Sequence, residues 1–176
     1  FQDCNQPEFK NYDNMIMNNF AAKSLREFSN ETEIAITQGS IANEIFFPKG
    51  EISYSDIYKL GNELFSSCNN IVSFKMKGYE IVDLLEDAHH YAITNKFDID
   101  KYPYASGLKW DFDQNRIKGQ RITNLKFKSK AKKSWNELNQ NHSYIISTND
   151  IIAYGNFGYY KFGEIMTKKK NEVIIN

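Results

Sequence analysis

The side chains that could take part in chemistry are few and scattered. His89 and His90 are adjacent, His142 stands apart, and no D-x-H, G-N-H or H-x-H arrangement accompanies them, so neither a two-metal centre nor an activated water can be assembled from their spacing. Adjacent residues on a helix point in different directions, which suits one histidine to the core and the other to solvent. Cys4 and Cys68 form no C-x-x-C or Cys/His cluster, which argues against zinc and thiol-disulfide chemistry and leaves them either paired or free. Ser67 and Cys68 have no base placed by a motif, so nucleophilic catalysis has no support. Only Arg26, Arg116 and Arg121 could grip a phosphate or carboxylate with a planar guanidinium. The sequence therefore predicts no catalytic residue, no metal ligand and no cofactor.

Composition narrows the partners. In 176 residues, 22 basic side chains balance 22 acidic ones, so no global field draws the chain to nucleic acid or anionic lipid. No run of about 18 apolar residues is present, so no membrane span is expected. The first residue is Phe1 rather than Met, as in a processed or excised piece whose missing part could have held a targeting signal or another domain. Sequons at Asn30-Glu31-Thr32 and Asn141-His142-Ser143 would suit a secreted protein, but an asparagine-rich chain yields such triplets by chance.

The elements that must position any site follow from periodicity. Met15, Met17, Phe20, Ala21, Leu25 and Phe28 predict a helix over 14–28 with Asp13 as its cap. Ile34-Ala35-Ile36 reads as a buried strand running into a turn at Gln38-Gly39-Ser40. Ser53 or Ser55 can cap a helix ending near Leu64. Residues 69–77 alternate as a half-buried strand that Gly78 breaks, and Tyr79 to Ile93 form an amphipathic helix. Strands are expected at 108–112, 122–127 and 143–148, with a solvated, lysine-rich loop or short surface helix over 129–141. Asn149 to Tyr159 reads as a tight irregular loop, and Lys168-Lys169-Lys170 as solvated surface.

Six segments, in order, resemble the C-terminal domain of the 5′-nucleotidase family. They are Asn18-Asn19-Phe20-Ala21-Ala22, Ala35 to Ile41, Pro48 to Tyr58, Ser66 to Ile81, Ser106-Gly107-Leu108 with Gly119-Gln120-Arg121-Ile122, and Thr148 to Tyr159. The likeness covers roughly Asn14 to Phe162. It implies an α+β fold of mixed sheets and packed helices, one domain over 1–176 with a core of about 14–166. It also implies that catalysis belongs to a metallophosphatase domain with two divalent metals, absent from this chain. Family members are commonly periplasmic, secreted or surface-bound, and the resemblance implies the same here.

The family holds its nucleotide between two aromatic rings, with an Asn, an Asp and arginines on the polar groups. By position, its Asn becomes Gln38, which keeps a carboxamide. Its arginine becomes Ala42, its rings Ser67 and Ile151, and its Asp becomes Phe157. Stacking is worth about 1–3 kcal/mol per base and hydrogen bonds to charged groups about 1.5–3 kcal/mol, so these replacements would weaken the inherited pocket from micromolar to roughly millimolar or worse. Phe65, Tyr154, Phe157 and Tyr159 then either fill the old cleft as packing or rebuild a stacking surface. The candidate ligand contacts are Gln38, Gly39, Asn149, Tyr154, Phe157 and Tyr159. The expected role is a non-catalytic interaction or structural module outside the cell with a protein partner; the alternative is a divergent nucleotide- or nucleoside-binding domain serving a preceding or separate phosphatase domain.

Overall fold

The computed structural model describes residues 12–39, 51, 53–56, 58, 70–96, 101–132, 134–168 and 173–175. Cys4, Ala42, Phe65, Ser67, Cys68 and the end of the helix predicted to reach Leu64 lie outside the described residues.

The elements, in chain order, are α1 (Tyr12–Glu27), β1 (Ile34–Gln38), β2 (Ile71–Lys77), α2 (Gly78–Thr94), β3 (Pro103–Ser106), β4 (Leu108–Phe112), β5 (Ile122–Phe127), β6 (Asn136–Glu137), β7 (Ser143–Asn149), α3 (Asp150–Ala153), a 3₁₀ turn (Asn156–Gly158), α4 (Tyr160–Lys168) and β8 (Val173–Ile175). They form the expected α+β fold. The larger sheet runs β3-β1-β7-β2-β8 and the smaller β4-β5-β6. Within the larger sheet β1 and β7 are parallel, while β1–β3, β2–β7 and β2–β8 are antiparallel.

The two faces of the larger sheet differ in chemistry. Register places Ile34, Ile146 and Phe74 side by side, and with Ile36, Val72 and Met76 they make one continuous apolar face. Phe74 stacks on Phe162 of α4 at 4.7 Å, and Ile81, Leu84 and Leu85 of α2 complete that core. The opposite face carries Ala35, Ser147 and Ser73 in register, small enough for α1 to lie close with Ala21, Ala22 and Leu25 inward. The Ser147 hydroxyl there bonds the hydroxyls of both Thr32 (2.6 Å) and Ser73 (2.7 Å), which satisfies three buried polar groups at once.

Gly78 does not simply break the strand; it begins α2. A β-carbon there would sit 2.4 Å from the Asn139 carbonyl oxygen, because the 139–142 turn packs against the strand-helix junction and its His142 and Gln140 carbonyls accept from the Gly78 and Tyr79 N–H groups. The Lys77 N–H is taken by the Glu80 carboxylate at 2.8 Å, which caps the helix start. Ser53 is the cap of the helical turn at 54–56: its hydroxyl accepts from the Asp56 N–H, and the Asp56 carboxylate accepts from the Ser53 N–H. The lysine-rich stretch is not merely solvated loop, since it contributes β6 and buries Leu138. The segment after β7 is likewise more ordered than a loop, being α3 followed by the 3₁₀ turn. Strands β3 and β8 and helix α4 have no counterpart in the sequence-based reading.

Candidate functional site

Strands β1 and β7 run parallel and end together, which brings Gln38 beside Asn149 across 111 residues of chain. The Asn149 Nδ2 donates to Gln38 Oε1 at 3.1 Å and to Thr37 Oγ1 at 3.0 Å, while its Oδ1 accepts from the Ile152 N–H at 3.2 Å and so caps α3. Both amide hydrogens and the oxygen have partners of the right type, which fixes the orientation of the group. Gln38 and Asn149 are 2% and 1% exposed, and Gly39 is buried just beyond the strand.

Of the six sequence-predicted contacts, Gln38, Gly39, Asn149 and Tyr159 gather at these strand ends, but Tyr159 is core. Its ring is fully buried, it lies nearly parallel to Phe162 at 6.3 Å, and its hydroxyl reaches the Thr37 carbonyl at 3.5 Å, the outer limit of a hydrogen bond. Burial pushes its hydroxyl well above the usual phenol range, with Tyr104 adding to the shift. Tyr159 therefore supports the cluster from beneath rather than offering a stacking face. Tyr154 points outward and is 65% exposed. Phe157 is half-buried, in a T-shaped contact with Tyr91 and with the Lys101 ammonium 4.2 Å from its ring centroid.

The Phe157 backbone is left-handed (φ 56°, ψ 32°), a region that Asn and Asp tolerate and Phe rarely adopts. Its neighbour Gly158 also has a left-handed backbone (φ 88°), and a β-carbon there would run into Tyr91 Cβ, so only glycine fits. Close approach of this turn to Asp87 and Tyr91 of α2 thus accompanies the left-handed backbone at Phe157. The signal available in the sequence was the pair Gly155 and Gly158; the partners Tyr91 and Lys101 had none.

All three arginines are engaged elsewhere. Arg26 donates to the Glu33 carbonyl (2.7 Å) and the Lys128 carbonyl (2.5 Å), Arg116 pairs with Asp113, and Arg121 donates to the Arg116 carbonyl and to His90 Nδ1. None bonds Gln38, Thr37 or Asn149.

The histidines are also committed. His89 is fully buried against Phe112 (3.9 Å, stacked), Tyr102 and Trp110, while His90 is half-buried at Arg121. Trp110 Nε1 donates to His89 Nε2 at 3.0 Å, so in the neutral ring the proton sits on Nδ1, which has no partner among the described residues. Burial lowers the His89 pKa to about 3, with a further push from Arg121. Among the described residues no group of three or more His, Cys, Asp or Glu side chains is placed to hold a metal ion. No helix among them is long and apolar enough to cross a membrane.

Neutral polar side chains thus meet at the carboxyl ends of the adjacent parallel strands β1 and β7. Residues 2–164 match the 5′-nucleotidase, C-terminal domain, and the chain belongs to that family. It is 26% identical over 127 residues to the NAD 5′-nucleotidase of Haemophilus influenzae and 28% identical over 124 residues to a probable 5′-nucleotidase of Treponema pallidum, each match covering 70% of this chain. The chain spans about a fifth (20%) of the length of these curated relatives. The solved structure of H. influenzae NAD nucleotidase superposes with a TM-score of 0.78 at 22% identity, covering 90% of this chain and 27% of that one, a likeness of fold.

Proposed function

We propose that this domain is the non-catalytic recognition part of a 5′-nucleotidase-type hydrolase, holding the uncharged nucleoside end of a nucleotide while a two-metal phosphatase domain on the same or another polypeptide cleaves the ester. The carrying observation is the Thr37–Gln38–Asn149 network at the ends of β1 and β7. It is built of neutral carboxamides and a hydroxyl, and every guanidinium of the chain is engaged at other contacts. Such a site recognises a base or ribose by hydrogen bonds and gains little from a phosphate. Titration calorimetry with adenosine and AMP tests this. Binding near the millimolar range, with the two ligands within about threefold, is expected; absence of heat from both at millimolar concentration would sink the reading.

A second reading, an interaction module outside the cell, has its own motivation. Gln38 and Asn149 bond each other and are shielded from water, while Tyr154 and Tyr160 stand exposed on the neighbouring turn. Under this reading no nucleoside binds, and Tyr154→Ala weakens a protein contact. Clear nucleoside binding by a strict monomer in sedimentation would count decisively against it.

A further inference from the structure

The smaller sheet gathers positive charge on one face, in a chain that is neutral overall. Register sets Lys109 of β4 directly opposite Lys126 of β5, and Lys126 opposite Glu137 of β6, so the three side chains share a face. Like charges in directly opposed positions destabilise a sheet. Glu137 answers Lys126 at 3.8 Å, and Asp111, further along β4, accepts from the Asn124 carboxamide. Lys128 follows Lys126 two residues on, just past the end of β5. Neither Lys109 nor Lys128 has a carboxylate partner among the described residues.

Both unpaired ammonium groups converge on one ring. The Nζ atoms of Lys109 and Lys128 lie 4.9 and 5.8 Å from the centroid of the Trp135 indole, which stands immediately before β6. Trp135 is 38% exposed, and apart from Ile117 it is the only exposed large apolar side chain among the described residues from 101 to 150. The ring attracts the two cations but leaves their charge uncancelled.

The chemistry of this face selects among anionic partners. Protein interfaces have an apolar centre and are depleted in lysine, whereas here one ring stands among lysines. Insertion into a bilayer surface needs an apolar stripe, which a single indole does not supply. A nucleotide can stack its base on an indole, but its phosphate stands a ribose away from that base. A uronate or sulfated sugar carries its anionic groups on the packing ring itself, which suits ammonium groups held this close to the indole.

We propose that Trp135, Lys109 and Lys128 form a binding site for an anionic polysaccharide. One sugar ring packs on the apolar body of the indole, and the two lysines take its carboxylate or sulfate groups. Lysine acts as a point charge without a fixed fork, which suits anionic groups whose positions vary along a polymer. The site lies on the smaller sheet, separate from the Thr37–Gln38–Asn149 network of the larger one, and does not depend on nucleoside recognition.

Calorimetry with short heparin fragments, with uncharged dextran as control, tests the site, and melting curves check that each variant is folded. Heparin fragments should bind the unaltered chain and dextran should not. Lys109→Gln combined with Lys128→Gln should weaken heparin binding about tenfold or more at low salt and lower its salt dependence by about two counterions. Trp135→Ala should weaken it about fivefold or more with nearly the same salt dependence, and Trp135→Phe should recover most of that loss. If Trp135→Ala binds heparin as tightly as the unaltered chain, charge alone is at work and the site is overturned. Equal or tighter binding of phosphatidylserine vesicles, or of a single-stranded oligonucleotide of matched charge, overturns the sugar in favour of that partner. No binding of heparin by the folded, unaltered chain removes the site, whatever adenosine does at the strand ends.

Discussion

Two polar regions of the molecule are buried for opposite ends. Where α2 meets the smaller sheet, charged and titratable groups are consumed as fasteners. Glu86 accepts from the N–H groups of Gly119 (2.9 Å), Arg121 (2.6 Å) and Ile122 (2.9 Å), which ties the 113–121 turn to the helix. His89 is boxed by three rings and receives the Trp110 indole N–H. Where β1 and β7 end, the groups are neutral carboxamides and hydroxyls. A charge can be buried only if its whole coordination is built around it, which leaves nothing over for a ligand. Neutral amides carry a smaller burial cost, and at the strand ends Asn149 meets it with bonds to Thr37, Gln38 and Ile152.

The contrast is most severely tested by Glu86→Ala, which strands three backbone donors. Loss of about 4 kcal/mol of unfolding free energy in urea is expected, with nucleoside binding by the remaining folded protein unchanged. A loss below about 1 kcal/mol would show that the turn is held by other contacts.

Acid should act on the same region. The folded-state pKa of His89, lowered to about 3 by burial, lies below the unfolded value near 6.5, so its contribution is fully present above pH 6.5 and is lost as the pH falls from there towards 3. Between pH 7 and pH 4 this removes about 3 kcal/mol. His89→Phe should flatten the slope of stability against pH over that window, whatever it does to stability at pH 7. An unaltered slope would show that other groups govern acid unfolding.

At the strand ends the effects should be smaller. Asn149→Ala removes the cap of α3 and the bonds to Thr37 and Gln38, and about 2 kcal/mol is expected from thermal melts. Unlike Glu86→Ala, it should also reduce adenosine affinity measured by calorimetry. Smallest is the turn: Phe157→Asn and Phe157→Ala both remove the ring from Lys101 and Tyr91, but only Asn suits the left-handed backbone. Phe157→Asn should therefore be about 1 kcal/mol more stable than Phe157→Ala in paired denaturation curves. Equal stability would mean that the strain relaxes into its neighbours.

What could be read along the chain depended on local repetition. Leu25 and Ala21, or Ile81, Leu84, Leu85 and Ala88, recur at helical spacing and were legible as α1 and α2. Pro103–Ser106 and Val173–Ile175 are strands because β1 and β2 offer them free edges, and a few residues carry no period of their own. Helix α4 buries Phe162 and Ile165 on one face, but it is short and carries a glycine at 163, which lowers helix propensity. That glycine is there because a β-carbon would lie 2.9 Å from the Tyr154 carbonyl oxygen. Gln38 and Asn149 were visible by their place in family-like segments, whereas the bond between them was not, because 111 residues separate them.

The sequence by itself determined the family, the α+β character, the absence of a legible catalytic motif and the opposed directions of His89 and His90, since all of these rest on residue type and short-range spacing. Only the tertiary structure decided that Tyr159 is a core ring and that the arginines are tied up by carbonyls, an acid and a histidine. It also decided that Asn149 meets Gln38, while the Asn18 carboxamide has no hydrogen-bond partner among the described residues. Those outcomes depend on which groups remain after every neighbour from distant parts of the chain has been counted, and burial makes each unmatched donor or acceptor costly enough to stand out.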